Sequence, residues 1–102
     1  MGRWLPPGRI RLQGYKILEL ELKENRFRLY LENRHREHRS LILHGLVSLR
    51  DRGALGKGLG GIRIVDGGHL KTLTISGLRQ AKLLVAEFME AELSDSMPSH
   101  RG

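Results

Sequence analysis

The segment Arg34-His35-Arg36-Glu37-His38-Arg39 holds the chain's densest set of side chains able to do chemistry. Arg34, Arg36 and Arg39 offer planar guanidinium heads with several donors each, a geometry that suits phosphate oxygens. His35 and His38 supply adjustable charge, so acidification would make the cluster more positive. Arg28 lies just upstream, and Tyr30 is the outward-facing strand aromatic that could stack on a base. Trp4 would join it if the N-terminal segment folds back. Charge alone does not separate a docking loop from a solvated loop that protects a hairpin from aggregation.

Other clusters carry less. Gly56-Lys57-Gly58-Leu59-Gly60-Gly61 spells the dinucleotide fingerprint, but that motif needs a strand before it and a helix after it. Here a strand is expected after it. The Walker pattern fails because Gly58 follows Lys57 where Ser or Thr is required. What remains is a backbone anion nest with Lys57 beside it, or a plain connector. His35 and His38 lie three apart without cysteine or a second spaced pair, so no metal is expected. Glu87, Glu90, Glu92 and Asp95 read as a solvated face. No nucleophile–base pair and no cofactor loop is recognisable, so neither catalysis nor a cofactor is expected.

These residues need elements to position them. Leu18, Leu20 and Leu22 alternate with Glu19, Glu21 and Lys23, and Phe27, Leu29 and Leu31 alternate likewise. Period two marks half-buried strands. A turn at Glu24-Asn25 joins them, facing Leu22 with Phe27, Glu21 with Arg28 and Glu19 with Tyr30. Arg28 therefore already has an acidic partner. Residues 40–49 read as a buried strand bent at Gly45. Asp66-Gly67-Gly68 signals a hairpin between residues 62–65 and 70–75. Ser76 is the expected N-cap of a helix from about Gly77 to Leu93, with Leu78, Ala81, Leu84, Val85, Phe88 and Glu92 on one stripe that is apolar except at its end. Residues 1–8 and 94–102 read as tails around one domain, 9–93, and no internal repeat is visible. The fold class expected is α+β, antiparallel strands followed by one C-terminal helix.

Composition sets the outer limits. The 102 residues carry a formal net charge of +7, with twelve Lys and Arg against six Asp and Glu in residues 1–52 and six against five in 53–102. Such an excess attracts polyanions. There are no cysteines, which excludes disulfides and thiolate metal sites. No apolar run approaches the ~18–20 residues of a membrane span, and the start lacks an apolar leader core. A soluble, cytoplasmic protein is expected.

Two resemblances add to this reading. The strand ending Tyr30-Leu31-Glu32-Asn33-Arg34, the apolar strand with Gly45-Leu46-Val47-Ser48, the loop 53–61, Asp66-Gly67-Gly68 and Ser76-Gly77-Leu78 follow one another in an order that resembles the bacterial-type PH-like domain family. The resemblance implies a strongly bent antiparallel sheet or open barrel, of about five to seven strands, closed by the C-terminal helix. It also implies a module that binds a protein partner or an anionic lipid headgroup. Leu22-Lys23-Glu24-Asn25-Arg26 resembles the first hairpin turn of PUR-repeat single-stranded nucleic-acid binders, which have four curved strands, a helix and a tendency to dimerise. The reading that follows is a non-catalytic polyanion-binding domain. RNA or single-stranded DNA is the expected ligand, through Arg28, Tyr30, Arg34, Arg36, His38, Arg39 and Lys57. A protein partner or lipid headgroup is the alternative, and a homodimer is compatible with both.

Overall fold

The computed structural model describes residues 2–94, which form ten strands and no helix. In chain order they are β1 (Gly2–Trp4), β2 (Gly8–Ile10), β3 (Lys16–Lys23), β4 (Arg26–Glu32), β5 (His38–His44), β6 (Ser48–Asp51), β7 (Leu59–Asp66), β8 (Lys71–Gly77), β9 (Lys82–Phe88) and β10 (Glu90–Ser94). They build two five-stranded antiparallel sheets. The front sheet has the order β1-β10-β5-β4-β3 and the back sheet β2-β7-β8-β9-β6. One apolar core joins them, with Leu29, Leu31, Leu41 and Leu43 from the front sheet. Ile62, Ile64, Leu73, Ile75 and Phe88 enter from the back sheet. Each such side chain, fully buried, contributes about 1.5–3 kcal/mol.

The first hairpin has the register that alternation dictates: Glu19 faces Tyr30, Glu21 faces Arg28 and Leu22 faces Phe27. A bulge between Ile17 and Glu19 takes up Leu18, so Ile17 and Leu20 both point inward. Asp66-Gly67-Gly68 opens the β7–β8 hairpin, with Asp66 Oδ1 accepting from the Gly68 amide at 2.9 Å.

The expected C-terminal helix is absent, and with it the α+β class and the helix-closed, PH-like barrel. Residues 77–93 instead end β8, turn, and form β9 and most of β10. The stretch satisfies both periods. Leu84, Ala86 and Phe88 are buried two apart, whereas Leu78 at the head of the helical stripe is 77% exposed. Helix propensity in a run rich in Leu, Ala and Glu is a weak prior, and pairing of β9 with both β8 and β6 overrides it. Gln80, at φ 62°, departs from helical geometry inside the run. The N-terminal boundary also differs. Gly2–Trp4 pairs with β10 and Gly8–Ile10 pairs with β7, so the first residues are part of both sheets. Ser94 belongs to β10, and the rest of the expected C-terminal tail lies outside the described residues.

A repeat emerges that the sequence hides. β3-β4-β5 is a three-stranded meander, after which β6 crosses to the back sheet and pairs with β9. β7-β8-β9 is a second meander, after which β10 crosses to the front sheet and pairs with β5. Each half thus lends its fourth strand to the other. The crossings pass side by side, with the Met89 amide bonded to His44 O and the Val47 amide to Glu87 O. Gly45 makes the first crossing at φ 67°. Among the described residues, no helix is long and apolar enough to cross a membrane.

Candidate functional site

The turn between β4 and β5 is built around Asn33. Its amide bonds to Glu37 O and its carbonyl accepts from the Arg36 amide. Its Oδ1 accepts from the amides of His35 and Glu37, both at 2.9 Å, and its Nδ2 donates to Glu37 Oε1 at 2.7 Å. Asn competes well for such local bonds, which is why it sets turns. Arg34 and His35 form the exposed tip, and Arg36 closes the turn at φ 63°. That left-handed conformation costs a side-chain-bearing residue about 1–2 kcal/mol relative to a right-handed one. An Arg36→Gly variant is therefore expected to gain up to about 1 kcal/mol in denaturant unfolding, after the flexibility of glycine in the unfolded chain is deducted. The same variant loses one cation of the site.

The opposite wall comes from distant sequence. Gly14, at φ 90°, turns the chain into Tyr15 and Lys16. Tyr15 O accepts from the Leu59 amide, and Ile17 exchanges bonds with Lys57 O and the Gly56 amide. The glycine loop is thereby stitched to the start of β3, across the gap between the two sheets. The β8–β9 turn repeats the design of the β4–β5 turn. The Gly77 amide bonds to Ala81 O, the Gln80 amide to Gly77 O, and Gln80 is left-handed. It sets Leu78 over Gly58.

These pieces enclose an open recess of about 560 Å³ at one end of the sandwich. Lys16, Arg34 and Arg36 line it as three cations, together with Leu78 and with Tyr15, a half-buried residue that also packs against the core. Glu32 is its one acid, held by His38 Nε2 at 3.0 Å from Oε2. Among the described residues, none of the three cations makes an ion pair. The arrangement offers multi-donor cations beside an aromatic, which is what a phosphate with an attached ring requires.

The structure divides the residues expected from the sequence. It brings Arg34 and Arg36 to the recess. Arg39 lies within β5 opposite Leu31, and His38 is engaged by Glu32. Arg28 and Tyr30 sit on the outer face of the front sheet. There Arg28 Nη1 donates to Tyr30 Oη at 3.0 Å, and Tyr30 Oη to Glu21 Oε1 at 3.3 Å. Tyr30 is only 9% exposed, so its ring is not open for stacking. In the glycine loop five amides are already engaged. Its Gly56, Lys57 and Leu59 amides bond to carbonyls, and those of Gly53 and Ala54 bond to Asp51 Oδ1. Lys57 does not line the recess.

Sequence reasoning missed Tyr15, Lys16, Glu32 and Leu78. The signal available was the aromatic–lysine pair directly after Gly14. Its distance in sequence from Arg34 concealed it. No family model, no curated protein and no solved structure matches this chain.

Proposed function

We propose that this chain is a non-catalytic binding domain for RNA or single-stranded DNA, and that the recess at the end of the sandwich is its docking point. The observation that supports this is the convergence of Lys16, Arg34 and Arg36 on one lining that also contains Tyr15. No acid is ion-paired to any of the three among the described residues. Phosphate oxygens would take the guanidinium and ammonium donors, and a splayed base would lie against Tyr15. A cytoplasmic setting accompanies this reading. The headgroup-binding alternative drew on a helix-closed PH-like barrel, which this fold lacks.

The test is fluorescence anisotropy with labelled single-stranded oligonucleotides across a salt series. Three phosphate contacts on a single strand should give a slope of about −2 in log affinity against log salt. Absence of binding at low salt, or binding insensitive to salt, would overturn the proposal.

A further inference from the structure

The outer face of the back sheet carries a second set of cations that the recess does not use. Strand pairing places Arg9 opposite Arg63, Arg63 opposite Thr74, Thr74 opposite Val85 and Val85 opposite Arg50. Paired residues share a face, so these five form one row across the sheet. Their chain neighbours Ile62, Ile64, Leu73, Ile75, Leu84 and Ala86 fill the core side. Neighbouring strands lie about 4.8 Å apart, so the row runs about 19 Å from Arg9 to Arg50. Lys82 sits opposite Ser76, nearer the β8–β9 turn, and Arg79 lies in that turn beside Leu78. A line of cations therefore leads from the recess onto this face.

The two outer faces differ in charge balance. On the front sheet one like-charge pair, Lys23 opposite Arg26, stands among acids: Glu21 faces Arg28, Glu32 holds His38 and Glu92 holds His44 at 3.0 Å. On the back sheet, Arg9 and Arg63 stand directly opposite each other, an arrangement that destabilises a sheet. Among the described residues, Arg9, Arg50, Arg63 and Lys82 make no ion pair. Glu87, the acid in these rows, accepts from Ser48 Oγ at 2.8 Å. Thr72, Thr74 and Ser76 run down the centre of the face along β8 and add hydroxyl donors.

From this geometry we infer that the outer face of the back sheet is a second phosphate-binding surface, which takes the continuation of the strand whose end sits in the recess. It rests on the nucleic-acid reading of the recess and extends it. The rows contain no aromatic side chain, so contacts here go to phosphates and are blind to base identity. A strand following this path would fill a footprint well beyond one nucleotide.

The test compares oligothymidylates of about four and about sixteen nucleotides, the range of single-stranded binding footprints. Binding is measured to the parent chain and to a triple variant, Arg9→Gln, Arg50→Gln and Arg63→Gln. The short oligomer should bind both equally. The long one should bind the variant about tenfold more weakly, with a salt slope shallower by about 2. In the unliganded protein, Arg63→Gln alone should raise the melting temperature by about 1–4 °C, because it removes a like-charge pair. Equal affinity of the long oligomer for both proteins, or a lowered melting temperature in Arg63→Gln, would overturn this inference and leave the recess reading intact. Failure of the parent chain to bind either oligomer would overturn both.

Discussion

Replacing Lys16, Arg34 and Arg36 together by alanine is expected to lower affinity for a single-stranded oligonucleotide by about two orders of magnitude. The magnitude follows from three solvent-exposed ionic contacts, each worth up to about 1 kcal/mol, with about 1.4 kcal/mol per tenfold. All three side chains are solvent-exposed, and none holds an ion pair among the described residues, so folding should be unaffected. The unfolding midpoint in urea is the control and should stay within a few tenths of a molar of the parent. The complementary control is Arg28→Ala on the front sheet, whose guanidinium is engaged by Tyr30. It should change affinity little while costing stability. If the triple variant binds as the parent does, the recess is not the docking point.

Gly60→Ala is expected to be the most destabilising single methyl in the chain's glycine loop. A Cβ at Gly60 would lie 2.1 Å from Gly77 O and 2.7 Å from Gly77 C. Both are backbone atoms at the end of β8, and no flexible side chain can yield. Gly60 occupies the irregularity where the β7–β8 register shifts between Leu59 and Gly61, which is what brings the two backbones so close. Overpacking of this kind costs about 1–3 kcal/mol, and here the upper end is expected. For a domain of this size that is a fall of about 10–20 °C in melting temperature. Gly61→Ala supplies the contrast, because nothing lies within 4 Å of the Cβ it would carry. The effect should also reach the site. Gly77 begins the turn that carries Leu78, so a shifted Gly77 moves one wall of the recess. Equal melting temperatures for the two alanine variants would contradict the backbone contact.

What the residues disclosed in advance divides along physical lines. The β3–β4 hairpin was readable because its signal is local: alternating Leu and Glu, a two-residue turn, then alternating Phe27, Leu29 and Leu31. The Asp66-Gly67-Gly68 hairpin was readable for the same reason. β9 and β10 were not, because Leu84, Val85 and Phe88 fit a helical stripe while Leu84, Ala86 and Phe88 fit a strand. The pairing of β9 with β8 and with β6, the latter some 35 residues earlier, decides between them. The exchange of fourth strands between the two meanders has no local signature at all.

The same split runs through the site. Arg34 and Arg36 could be picked out as phosphate ligands because they cluster in sequence. Arg39 belongs to the same cluster, yet β5 has begun by then and strand pairing sets it opposite Leu31, outside the lining of the recess. Tyr30 points outward as alternation requires, but Arg28 and Glu21 close over it. Lys16 and Tyr15 reach the recess only because residues 56–59 pair with residues 15–17, a contact across some 40 residues that no spacing rule reveals. Similarly, the charge excess of residues 1–52 does not map onto one face. The tertiary arrangement distributes Arg9 and Arg50 to the back sheet, beside Arg63 from the second half.

The most direct measurement is a backbone amide titration by NMR with a short single-stranded oligonucleotide. The amides of Tyr15, Lys16, Asn33, Arg34, Arg36, Gly58 and Leu78 should shift first and saturably, with those of Arg28, Tyr30 and Ser40 unmoved. Shifts centred on the front sheet's outer face, or spread evenly over every Lys and Arg of the chain, would contradict a recess that gathers Lys16, Arg34 and Arg36 for phosphate.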